Sequence, residues 1–65
     1  MYTLFVQADQ LMINDRIAYK DTIYRVYDIT RHKDYVTIGL SKSTFTRLQY
    51  REIKAQNNYV FAVHH

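Results

Sequence analysis

Residues 16–40 read RIAYK (16–20), DT (21–22), IYRVYDIT (23–30), RHKD (31–34) and YVTIGL (35–40). Three runs rich in β-branched and aromatic residues are joined by two short polar connections, each holding an Asp. Such side chains suit a pleated, half-buried surface, and Asp suits turns because its carboxylate bonds the local backbone. The stretch predicts a meander of three antiparallel strands.

Its middle run also predicts shape. Strict alternation puts Tyr24 and Val26 on one face with Asp28, and Ile29 on the other with Arg25 and Tyr27. A regular strand would bury either Asp28 or Arg25. A bulge or sharp bend near Tyr27-Asp28 removes the conflict, because one extra residue switches faces and lets Tyr24, Val26 and Ile29 all point inward. A bend there lets a short sheet curl over itself. In the next run Val36, Ile38 and Leu40 alternate cleanly and face inward.

Upstream, residues 2–8 predict a strand with Leu4 and Val6 on one side and Thr3, Phe5 and Gln7 on the other. Residues 11–15 read as a crossing over an open end, with Leu11 and Ile13 plugging the core and Asn14-Asp15 forming the turn. Arg16–Lys20 is a strand, and Lys20-Asp21-Thr22 its hairpin turn. Downstream, residues 45–55 admit two readings. Ser43 as a cap and the Phe45/Leu48 spacing suit a short helix. The Thr/Phe/Tyr content and the Gln56-Asn57-Asn58 turn favour a strand. Residues 59–64 form a last strand, with Tyr59, Phe61 and Val63 on one side. The expectation is a single all-β domain over residues 1–65. Its five or six strands form a strongly bent antiparallel sheet closing into a small barrel, which would remove most exposed edges.

The run Val6-x-Ala8-Asp9-x-Leu11-x-x-Asn14-Asp15-x-Ile17, followed by Tyr24-x-Val26-x-x-Ile29 and Val36-x-Ile38, resembles small SH3-like β-barrels, including many uncharacterised phage-encoded ones. The resemblance covers roughly residues 6–40. The chain departs from the pattern at Asn14, where Gly is usual, and Asn tolerates the same positive-φ backbone. The resemblance implies an SH3-like barrel. It carries no catalytic residues, because such barrels serve as nucleic-acid binders, peptide binders and oligomerising parts.

Sixty-five residues bury a small core, so self-association into a homodimer or higher oligomer is the expected help, with a monomer equally open. Cys is absent, which excludes disulfides and suits a reducing compartment. No apolar run is long enough to span a bilayer and no signal peptide is visible, so the expected location is cytoplasmic, in a cell or a virus-infected host cell, with no membrane partner. Enzyme signatures are missing too. The only glycine, Gly39, sits inside a strand rather than in a phosphate loop, and no nucleophile elbow or His-x-x-x-His pair occurs. Asp28 and Asp34 read as a strand residue and a turn former rather than as a catalytic pair. The chain is therefore expected to be no enzyme and to need no cofactor and no metal. His32, between Arg31 and Lys33, suits a turn that touches phosphate at most. His64-His65 suits a weak metal grip or a purification-tag remnant and is set aside.

Charge placement points to a partner. Residues 1–34 hold five Lys/Arg and five Asp, whereas residues 35–65 hold Lys42, Arg47, Arg51 and Lys54 against Glu52 alone. The balanced half reads as scaffold, and the basic half suggests a polyanion. On a strand, Arg47, Gln49 and Arg51 project together about 7 Å apart, flanked by Lys42 and Lys54. Tyr27 and Tyr35 fall on the outward parity as stacking platforms. Cations beside exposed aromatics are what single-stranded nucleic acid needs. The sequence thus leads to a non-enzymatic nucleic-acid-binding module. The alternative is a protein–protein module, such as a phage accessory protein that docks on a host or viral protein through its Tyr/Arg face.

Overall fold

The computed structural model describes residues 3–43 and 46–64. Six strands, β1 (Thr3–Gln7), β2 (Arg16–Tyr19), β3 (Thr22–Arg31), β4 (Tyr35–Ser43), β5 (Leu48–Gln56) and β6 (Val60–His64), form one sheet, with a 3-10 turn at Ala8–Gln10. The order is β1-β6-β2-β3-β4-β5 and every ladder is antiparallel. The chain from Leu48 to Gln56 is strand, not helix.

The bulge lies where the parity conflict places it. Val26 pairs with Leu40 and Asp28 with Gly39, leaving Tyr27 as the extra residue. Val26 is fully buried, Ile29 pairs with Ile38, and Tyr24 and Ile29 pack against the core. Val36, Ile38 and Leu40 of β4 are fully buried, joined by Ala8, Leu11, Ile17, Ile53, Phe61 and Val63. Gly39 lets the bulge form. A Cβ there would meet Tyr27 Cζ at 2.9 Å and Asp28 Cβ at 3.1 Å, so the tyrosine ring occupies the space a side chain would need.

The sheet curls strongly. Tyr19 of β2 and Arg51 of β5 are three strands apart, which is about 14 Å on a flat sheet. Yet the Arg51 guanidinium lies 5.4 Å from the Tyr19 ring centroid. Closure into a barrel does not follow: β1 and β5 are the two edges of an open sheet. At one end the 3-10 turn stands where closing strand pairs would, packed against β4 and β5. Its backbone is tied to the β5–β6 connection by Ala8 N–H to the Tyr59 carbonyl and Asp9 N–H to the Asn57 carbonyl. Arg31 ties it to β3, donating from Nη2 to the Leu11 carbonyl at 2.8 Å and from Nε to the Asp9 carbonyl. Asn57 Nδ2 donates to the Lys33 carbonyl and fastens the β3–β4 turn to the same cluster.

Two local expectations are corrected. Ile13 is half-exposed, and only Leu11 plugs the core. Asn14 takes φ 79°. Asn14 N–H donates to the Val26 carbonyl, and Val26 N–H to that of Asp15. Asp15 Oδ2 accepts from Met12 N–H. The turn is thereby clamped to β3 with Met12 and Ile13 facing solvent. The β2–β3 loop is also one residue shorter than expected. Tyr19 pairs with Thr22, leaving Lys20 and Asp21 at φ 49° and 62°, the two positive φ angles of a type I′ hairpin.

Gly39→Ala is expected to lower stability by about 1 kcal/mol through overpacking against Tyr27 and Asp28. Adding Tyr27→Ala should recover part of that loss. Urea midpoints of the two single variants and the double variant measure the coupling; strictly additive losses would contradict the steric account.

Candidate nucleic-acid interface

Residues paired across an antiparallel ladder share a face, so the registers sort the cations. On β5, Gln49 pairs with Lys42, Arg51 with Leu40, Ile53 with Ile38 and Ala55 with Val36. Gln49 and Arg51 therefore lie on the core side, beyond the core's apolar limit. There the Arg51 guanidinium covers the Tyr19 ring, which itself meets Tyr24 edge to face. Leu48, Tyr50, Glu52 and Lys54 take the outer side. Arg47 precedes β5, so the expected stripe contributes two strand residues, not three.

Lys54 is separated from that stripe. Its Nζ lies 5.7 Å from the Tyr35 centroid, and Tyr35 stacks on His32 at 4.3 Å. His32 Nε2 reaches Thr37 Oγ1 at 3.2 Å. Lys54, Tyr35 and His32 thus make one outer patch near the β3–β4 turn. Tyr27 belongs to neither group. It lies over Gly39 and meets Tyr50 edge to face at 5.3 Å.

The structure brings forward two arginines that the charge count hides. Arg16 and Arg25 are direct cross-strand partners in β2 and β3. Arg16 also pairs with His64, Arg25 with Ser41, and Ser41 with Tyr50. His64, Arg16, Arg25, Ser41 and Tyr50 form one outer row across five strands, about 19 Å long at ordinary strand spacing. The β3–β4 ladder ends at this row. Beyond it β3 runs only beside β2, back to Thr22, and β4 only beside β5, on to Ser43. The two hairpins fork, and the cleft between them has a volume near 660 Å³. Arg16, Arg25 and Lys42 line it with Ile23, Tyr24 and Leu48. None of these three cations has an ion-pair partner among the described residues.

Lys20, in the β2–β3 turn, and Arg47, beside the Ser43–Leu48 pair, stand at the same end. With Arg16, Arg25 and Lys42, the fork end holds five of the nine Lys/Arg residues against Asp21, and Arg51, opposite Leu40, stands at its boundary. Asp15 sits at the boundary beside Val26, its carboxylate turned back onto Met12 N–H. The other end holds Arg31, Lys33 and Lys54 with Asp9, Asp28, Asp34 and Glu52. Folding separates charges of residues 1–34 that cancel along the chain. Counting back from the two-residue Lys20-Asp21 loop gives the Arg16–Arg25 pairing directly; a three-residue turn misaligns them.

Among the described residues no group of three or more His, Cys, Asp or Glu is placed to hold a metal, and no helix is long and apolar enough to cross a membrane. Comparison with protein families, with curated proteins and with solved structures finds no match to this chain.

Like charges directly opposite on a sheet are destabilising. Arg25→Glu, which faces Arg16 with an opposite charge, is expected to raise stability by about 0.5 kcal/mol in low salt. A higher urea midpoint that falls back with added salt is the expected result, and an unchanged or lower midpoint would show that the two arginines do not repel.

Proposed function

We propose that the protein is a non-enzymatic module that binds nucleic acid mainly through its phosphates, at the fork end of the sheet. The observation that supports this most is the unneutralised Arg16–Arg25 pair, with Lys42 across the cleft. Two opposed cations without a counter-charge cost stability, and a polyanion offsets that cost when bound. Arginine serves through its planar, bidentate donors.

In this reading Lys42 and Arg47 at this end, and Arg51 at its boundary, are further phosphate contacts. Gln49, paired with Lys42, adds hydrogen-bonding capacity. Tyr50 replaces Tyr35 as the principal stacking platform. It lies in the same row as Arg25 and is 63% exposed, with Tyr27 beside it. Lys54 and Tyr35 form a second contact on the outer side, separated from the first by the acidic row of Asp28 and Glu52 flanking Gly39. The resemblance to SH3-like barrels agrees with a binding role, and this reading takes the open, curled sheet as a variant of that scaffold.

Titration of labelled single- and double-stranded oligonucleotides at several salt concentrations tests the reading. Neutralising about three phosphates predicts a log–log salt slope between about −2 and −3. Arg16→Ala/Arg25→Ala should flatten that slope by about 1 to 2 units, and Lys54→Ala should change it less. Absence of binding at low salt would sink the nucleic-acid reading in favour of a protein partner.

A further inference from the structure

We infer that the free edge of β1 is a self-association surface, pairing antiparallel with the same edge of a second copy of this chain about a twofold axis through Phe5. An open sheet has two edges, and this one treats them differently. β5 carries Arg51, Glu52 and Lys54 along its length, a usual guard against edge-to-edge pairing. β1, with the sequence TLFVQ, carries no charge, no Pro and no bulge in its ladder to β6. Its exposed backbone groups are a template for another strand.

Side-chain burial points the same way. Leu4 sits at a core-facing position, opposite Val63, which is 1% exposed. Leu4 itself is 46% exposed, because among the described residues no strand pairs beyond β1. On the outer face Phe5 is 77% exposed, and Val60, opposite Gln7, is 50% exposed. The apolar surface thus runs up to the β1 edge on both faces of the sheet.

The charge pattern suits a second copy as the occupant. Each chain carries net charge +3, yet residues 3–8 and 60–63 carry none. Two like-charged copies meet with least repulsion along this flank. The geometry is self-complementary as well. A one-residue slip turns a strand's side chains to the opposite face, so a twofold pairing that keeps both cores on one side needs residue numbers with an even sum. The register centred on Phe5 uses the whole strand. It places Phe5 opposite the partner's Phe5 on the outer face and Leu4 opposite the partner's Val6 on the core face. The two Arg16 residues then face one side, about 28 Å apart, five strand spacings across the sheet and four residues along it.

Light scattering over a dilution series tests this on the intact chain. The expected mass at high concentration is twice the 7.9 kDa of one chain. Phe5→Lys should stay monomeric with an unchanged far-ultraviolet spectrum, since Phe5 is mostly exposed. The chain has no cysteine, so Phe5→Cys supplies one thiol. Directly opposed residues hold their Cβ atoms about 4.5–5.5 Å apart, near enough for a disulfide after a small adjustment. Mild oxidation should give a covalent dimer of Phe5→Cys and little of Gln49→Cys on the other edge. A monomeric wild type, a dimeric Phe5→Lys, or equal cross-linking of the two cysteine variants would each overturn the proposal.

Discussion

The extra residue in β3 is the constraint on which the rest of the structure depends. With Tyr27 inserted between Val26 and Asp28, Val26 and Ile29 both face the core, and Asp28 stays outside. Without it, one half of β3 would present a charge to the interior, at several times the cost of any single surface contact. The bulge also raises the local twist, which helps bring β2 and β5 within side-chain reach of one another. It works because its neighbour in β4 is Gly39, the only residue type that leaves room for the Tyr27 ring. One glycine and one bulge thus shape both faces: the curled core inside, and the Tyr27–Tyr50 contact outside.

Curling without closure has two consequences. At one end the 3-10 turn, Arg31 and Asn57 tie the loops together by side-chain and backbone hydrogen bonds. At the other end the β3–β4 ladder stops at Arg25 and Ser41, and the β2–β3 and β4–β5 hairpins run on beyond it in separate ladders. The fold thereby divides the labour between its ends, one holding the loops in place and the other opening a cleft. Most of the cations gather at the open end, where solvent screens them and where a ligand has access. Under the proposed function stability and binding are in tension there, because the arrangement that favours an anion is the one that sets Arg16 against Arg25.

Much of the fold was legible in the chain. The parity of Tyr24, Val26, Asp28 and Ile29 located the bulge, and the alternation of Val36, Ile38 and Leu40 identified the inward face of β4. Both are local signals, since side chains on a strand alternate whatever the strand pairs with. The candidate site was legible only in part. Lys42, Arg47, Gln49 and Arg51 stand out as a basic run, but Lys54 is on the other face and Arg16 and Arg25 are hidden in a segment of zero net charge.

The sequence by itself determined the strands outside residues 45–55, the position of the bend and the inward-facing set of β3 and β4, because these follow from side-chain period and residue type. The tertiary structure alone decided that the sheet stays open, that Ile13 faces solvent, and that five of nine cations share one end. Those outcomes depend on register and loop length, such as the two-residue turn at Lys20-Asp21. One residue more in that turn would place Arg16 opposite a different partner, and no property of the individual residues foretells it.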